Sequence, residues 1–269
     1  MEWKNVFRGM LMGVTDLIPG VSGGTVAFLL GIYDRLLESI SGFFSRNWKK
    51  HIGFLLPLAI GICIALLLFS SLINYLLDEH FKETQFFFLG LIIGVVPFLM
   101  KQGNVRENFR KHHFVWMIIF AALLASLAFV KPAENSEPIT TLTITIAIGL
   151  FLSGWLASMA MLLPGISGSF VLLVLGVYRT ATNALASLNL PIILVIGAGV
   201  IVGFIVSSKG IRYILHRYPM MTYAAIIGLI IGSVAVIFPG MPTRENVIVC
   251  VITFVLGLMV STSFSKIQP

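Results

Sequence analysis

The sequence predicts an all-α polytopic membrane protein built from two inverted-topology repeats, each a re-entrant helical hairpin followed by three transmembrane helices. Three observations carry this reading. Of 269 residues, 58% are apolar and only 11% are charged, with a mean hydropathy of +0.99, whereas a soluble domain carries roughly 25% charged residues. At about 20 apolar residues per crossing, such a chain is committed to helices in a bilayer and leaves only short loops. That excludes a separate soluble catalytic or nucleic-acid-binding domain. The other two observations are an internal repeat and a one-sided distribution of Lys and Arg.

The first unit is residues 1–130. Residues 6–33 are apolar but interrupted by Pro19-Gly20-Val21-Ser22-Gly23. One Pro, two Gly and a Ser within five residues break a helix, so the region reads as two half-helices joined by a non-helical tip. Apolar runs at 52–77, 86–100 and 114–130 supply three crossings. The second unit, 139–269, opens with an apolar run at 139–163, and Pro164-Gly165-Ile166-Ser167-Gly168 interrupts residues 149–178 in the same way. Runs at 191–208, 219–237 and 246–264 follow. The stretch from Thr25 to Tyr33 is too short for a full span, which favours hairpins over the competing count of two complete spans per broken region. The first residues, Met1 to Asn5, lack a small-residue cleavage site after an apolar core, so no removable signal peptide is expected.

The repeat is explicit. Residues 19–33 align with residues 164–178, and eight of the fifteen pairs are identical, including both Pro-Gly pairs, the Ser-Gly pairs and the closing Gly and Tyr. Gly90-Leu91-Ile92-Ile93-Gly94 recurs as Gly228-Leu229-Ile230-Ile231-Gly232, and Ser70 with Tyr75 recurs as Ser208 with Tyr213. Fourteen of the 18 Lys and Arg fall in 1–8, 34–51, 101–113, 209–218 and the C-terminal tail. The intervening loops hold Lys82, Lys131, Arg179 and Arg244. By the positive-inside rule both termini are cytoplasmic, the basic loop after the first break is inside, its counterpart at 179–190 is outside, and the copies are inverted. The net charge of +7 thus reports topology, and no nucleic-acid partner is implied.

An inverted repeat with a broken, Gly-rich element at matching places points to a secondary transporter whose site lies where the two tips meet. The amides of Gly23, Gly24 and Thr25, and of Gly168, Ser169 and Phe170, sit at helix starts, where unpaired N–H groups and the helix dipole favour an anion such as phosphate. Ser22, Thr25, Ser167 and Ser169 add hydroxyl donors. Pro19, Gly20, Pro164 and Gly165 form the tip backbone. The competing reading is that these small residues only let helices pack closely.

The block Asp16-Leu17-Ile18-Pro19-Gly20-Val21-Ser22-Gly23-Gly24-Thr25, followed by Gly31-Ile32-Tyr33 and a second Pro-Gly-Ile-Ser-Gly-Ser, resembles the bacterial and archaeal polyprenyl-phosphate transporter family. The resemblance covers essentially the whole chain. It implies a flippase of the cytoplasmic membrane, not an enzyme, that returns undecaprenyl phosphate, the lipid carrier of cell-wall precursors, from the outer to the cytoplasmic leaflet. No cofactor is implied.

Asp16, in apolar surroundings, is an acid at membrane depth and a functional candidate: a proton carrier, a cation ligand, or a partner for Arg8 or Arg35. Equally, it caps the break through the amides of Ser22 or Thr25. Arg35 and Arg179 follow the two Tyr residues and could each meet a phosphate at its own mouth, or anchor helix ends by snorkelling. Tyr33, Tyr178, Trp48, Trp116 and Trp155 need no role beyond interface belts and packing. Cys63 and Cys250 read as reduced apolar residues, and the five His show no metal-ligand spacing. Two rivals remain: a channel or carrier for a small soluble anion, and, less favoured, a lipid-phosphate phosphatase, for which the acids are too scattered. A lipid route requires an apolar groove between the tips and the bilayer.

Overall fold

The computed structural model describes residues 1–17, 22–129, 138–139, 141–244 and 246–267. Among these, the secondary structure is helical and no strand occurs. The order is α1 (Lys4–Asp16), α2 (Gly23–Leu29), α3 (Tyr33–Ser41), α4 (Trp48–Glu79), α5 (Phe81–Gln102), α6 (Val105–Asn108) and α7 (Lys111–Ser126), then α8 (Ile144–Leu162), α9 (Gly168–Val174), α10 (Tyr178–Ala186), α11 (Leu190–Arg217), α12 (Pro219–Ile237) and α13 (Val247–Ile267). A single 3-10 turn, Leu127–Phe129, extends α7. Among the described residues, six helices are long and apolar enough to cross a bilayer: α4, α5, α7 with its extension, α8, α11 and α12. The chain is a multi-pass membrane protein.

Two boundaries differ from the sequence expectation for physical reasons. The apolar run before the second break stays one continuous helix, because nothing before Leu163 disrupts its hydrogen bonds; α8 is therefore 19 residues and long enough to span. Its counterpart α1 has 13 residues. Likewise, α11 does not stop at residue 208 but continues to Arg217. Lys and Arg are good helix formers, and His216 and Arg217 in the last turn complement the negative end of the helix dipole. This puts Lys209 and Arg212 on a helix face rather than in a loop.

The two halves run through the same elements, which is compatible with the repeat. α2 and α9 each have 7 residues, and α3 and α10 each have 9. The turns after α2 and α9 have the same hydrogen bonds: Leu30 N–H to Val26 O, Gly31 N–H to Phe28 O and Ile32 N–H to Ala27 O, matched by Leu175 to Val171, Gly176 to Leu173 and Val177 to Leu172. Gly31 (φ 65°) and Gly176 (φ 72°) take the left-handed position that ends each short helix, where a Cβ is strained. After the second turn the chain swings by 114° into α10.

Helices pack in equivalent pairs: α1 on α4 and α8 on α11 within each half, then α5 on α13 and α12 on α7 between halves. Each contact is made at glycine. A Cβ on Gly9 would overlap the Leu58 carbonyl, and one on Gly61 the Val6 carbonyl; Gly199 meets Phe151, Gly90 meets Phe254 and Gly228 meets Met117 in the same fashion. The recurring Gly-Leu-Ile-Ile-Gly is thus a helix-contact element in both copies, where small residues let backbones approach in lipid. Gly61→Leu is expected to destabilise the protein by at least the ~3 kcal/mol upper range of core overpacking. The obstacle is backbone, so the helices themselves must separate. Folded yield and thermal unfolding in detergent measure it, and an unchanged transition would contradict this packing.

The main apolar core gathers α2, α3, α4, α5 and α12 around Phe28, Leu37, Phe54, Ile92 and Ile230. A smaller cluster joins Leu150, Val177, Ala184 and Ile192 in the second half. All seven residues of α2 are buried, while Gly168 alone is buried in α9. The two copies of the short helix therefore occupy different environments.

Candidate functional site at the meeting of the two broken elements

The two breaks lie against each other, and side chains of the first satisfy the backbone of the second. The last carbonyls of a helix lack intrahelical donors, and in a bilayer such groups must find partners within the protein. At the end of α8, Leu162 O accepts from Tyr33 Oη at 2.8 Å and Leu163 O accepts from Ser22 Oγ at 3.3 Å. Gly165 N–H is satisfied the same way, donating to Thr25 Oγ1 at 3.0 Å. Gly165 has φ 87°, so the turn after α8 needs a residue without a Cβ. Tyr33 is buried and stacks on Phe28 with ring centroids 3.9 Å apart. It is thus part of the junction, a role beyond the belt position read from sequence, whereas Tyr178 is exposed.

The amides of the first tip are engaged. Asp16 Oδ1 accepts from Gly23 N–H at 2.8 Å, and Ser22 Oγ accepts from Gly24 N–H at 3.2 Å. Asp16 therefore caps the break, through the Gly23 amide rather than through Ser22 or Thr25. Arg8 bonds Asn5 Oδ1 at 2.9 Å and Arg35 pairs with Glu2, so neither cation raised for Asp16 meets it. The repeat gives Asp16 the partner Met161 and Gly23 the partner Gly168, and the contact recurs: a Cβ on Gly168 would lie 2.6 Å from Met161 Cγ. At the second tip no side chain caps α9; Ser167 and Ser169 hydroxyls bond each other at 2.7 Å, Ser167 buried and Ser169 exposed. Pro19 and Gly20 lie outside the described residues, while Pro164 is buried.

Beside the first tip opens an apolar groove of about 550 Å³. Asp16, Gly23 and Gly24 form its inner end, and among the described residues Asp16 is its one ionisable lining residue. Its walls come from Leu36, Ile40 and Phe43 on the α3 side, Leu58 and Ala59 of α4, and Phe204 of α11, among others. Phe44, Ala59 and Ile201, also lining it, are exposed, so the groove is open at the helix surface. Neither Arg35 nor Arg179 lines it. Arg35 sits over the Phe54 ring at 5.0 Å, and Arg179 is exposed on α10. Among the described residues no group of three or more His, Cys, Asp or Glu could hold a metal ion.

The model of the family described as undecaprenyl phosphate translocase-like matches residues 12–251, most of the chain. The chain belongs to that family. Among its relatives, a protein of Staphylococcus aureus (strain NCTC 8325 / PS 47) named polyprenyl-phosphate transporter is 44% identical over 276 residues, covering 99% of this chain and 97% of its own length. A protein of the same name from Vibrio cholerae serotype O1 is 35% identical over 245 residues, covering 86% and 76%. Both family relatives are named as transporters, not enzymes. No solved structure matches the chain. The family match takes in α2, α9 and all of the groove lining, from Met12 to Ile205.

Proposed function

We propose that the chain carries polyprenyl phosphate, of which undecaprenyl phosphate is the expected form, from the outer to the cytoplasmic leaflet of a bacterial or archaeal cytoplasmic membrane. The observation that carries the reading is the apolar groove running from the helix surface to the first tip and the end of α8. A prenyl chain gains from apolar walls, at roughly 0.8 kcal/mol per buried methylene, whereas a small soluble anion would lose hydration there and gain nothing. The relatives named for polyprenyl phosphate support the same substrate. The repeats are inverted, with both termini cytoplasmic, and the two tips lie near the midplane. In this reading the headgroup passes the tips on Ser22, Gly23, Gly24, Thr25, Ser167, Gly168 and Ser169. Since Asp16 holds the Gly23 amide, its carboxylate must let go before an anion can take that amide.

Moving a phosphate inward against an interior-negative potential costs roughly 2.3 kcal/mol per charge per 100 mV. A proton on Asp16 would offset one charge and release Gly23 at once. Uptake of polyprenyl phosphate into proteoliposomes tests both points. The wild-type protein is expected to accelerate uptake, faster with an imposed proton gradient. Asp16→Asn is expected to keep basal uptake and lose the acceleration by the gradient. No uptake by wild type defeats the transport reading; equal acceleration in the variant places coupling elsewhere.

A further inference from the structure

One cluster of cations stands at the edge of the groove with no role so far. On α11, Ile201, Phe204 and Ile205 line the groove. One turn further, Lys209, Arg212, Tyr213 and His216 line a separate, open pocket of about 340 Å³, bordered on the other side by Ser41 of α3. Positions 205, 209, 212, 213 and 216 follow one helix face, and at 1.5 Å per residue Ile205 and Lys209 are about 6 Å apart along the axis. On α3 the two are lined from different faces, Leu36 and Ile40 toward the groove and Ser41 toward the pocket. Along α11 an apolar lining gives way within one turn to a cationic, hydroxyl-bearing one, which is the polarity of an amphiphile with an anionic head.

Asp34 and Glu38 of α3 face this cluster and neutralise part of it. Arg212 lies 3.9 Å from both carboxylates, His216 3.7 Å from Asp34, and Lys50 3.6 Å from Glu38. The Arg212 and His216 pairs tie α3 to α11, the Lys50 pair ties it to α4, and Arg212 Nε is buried without a hydrogen bond. Lys209 is exposed and has no ion-pair partner among the described residues. It is the cation left to meet a ligand.

We propose that this pocket is a headgroup site for polyprenyl phosphate: Lys209, supported by Arg212, holds the phosphomonoester while the prenyl chain lies in the adjoining groove. The inference rests on the transport reading above. The Lys and Arg asymmetry places 209–218 on the cytoplasmic side, so this is where the headgroup rests before the lipid enters the inner leaflet. Phosphate prefers such fixed cations, and charge-assisted contacts are the stronger kind.

The test uses the purified full-length protein in detergent with three probes: polyprenyl phosphate, the matching polyprenol and inorganic phosphate. Lys209→Glu is expected to weaken polyprenyl phosphate binding by about tenfold, with polyprenol binding unchanged, and Lys209→Arg to restore it. Thermal unfolding confirms that each variant is folded. Wild-type-like binding of polyprenyl phosphate by Lys209→Glu overturns the headgroup site, as does an equal loss for polyprenol. Displacement of the lipid by equimolar inorganic phosphate overturns the lipid as occupant in favour of free phosphate. Failure of the wild-type protein to bind polyprenyl phosphate defeats the underlying transport reading instead, which separates the two.

Discussion

Ala59→Trp is expected to lower polyprenyl phosphate binding by more than tenfold while the protein folds and inserts normally. Ala59 lies on α4, lines the groove and is exposed, so an indole there extends into the space assigned to the prenyl chain without entering the buried core. Displacing two chain methylenes from the groove forfeits about 1.6 kcal/mol, and each 1.4 kcal/mol is about tenfold in affinity. A prenyl phosphate short enough to stay clear of residue 59 is expected to lose little. Binding isotherms for long and short chains, alongside thermal unfolding, measure both effects. Unchanged affinity for the long chain in a folded variant would remove the groove from the lipid path.

The second large effect is at the tips. Gly23→Val is expected to abolish headgroup binding at the tips, and with it transport, and Gly168→Val to harm the protein at least as much. A Cβ at Gly23 would stand 2.8 Å from Asp16 Oδ1 and 2.9 Å from Oδ2, so the carboxylate that caps α2 must leave. Losing a cap costs about 1 kcal/mol, and overpacking adds about 1–3 kcal/mol. At Gly168 the obstacles are Met161 Cγ at 2.6 Å and the Ala157 carbonyl oxygen at 2.8 Å; the latter is backbone and cannot turn aside. The collision with Asp16 can be removed separately. In Gly23→Val with Asp16→Ala, binding that returns would show that Asp16 placement was the loss, whereas binding that stays absent assigns the space at Gly23 to the headgroup.

Much of this architecture was legible in the chain. The apolar excess and the Pro-Gly-x-Ser-Gly pair were enough to place two broken helices among long ones, because breaking a helix is a local property of Pro and Gly. The helix ends were less legible. Continuing α11 through Lys209 and Arg212 depends on helix propensity outlasting hydropathy, and a hydropathy cut cannot register that. Counting 201, 204, 205, 209, 212, 213 and 216 as one face would have joined the apolar and cationic stretches. Residue type alone makes the tip hydroxyls ligand donors, yet Ser22 and Thr25 bond the opposite break. That pairing joins residues about 140 positions apart, and no local pattern encodes it. Asp16 shows the same limit: spacing put an acid near the break, but only the fold selects Gly23 as its partner.

The central claim, that the groove and the tips together serve a prenylated phosphate, is tested most directly by competition on the purified wild-type protein. Labelled polyprenyl phosphate is bound, then challenged with unlabelled polyprenyl phosphate, polyprenol or inorganic phosphate. The groove predicts full displacement by polyprenyl phosphate, partial displacement by polyprenol at higher concentration, and none by inorganic phosphate at equal concentration. Displacement by inorganic phosphate as effective as by the lipid would contradict it and make the chain a carrier of a soluble anion.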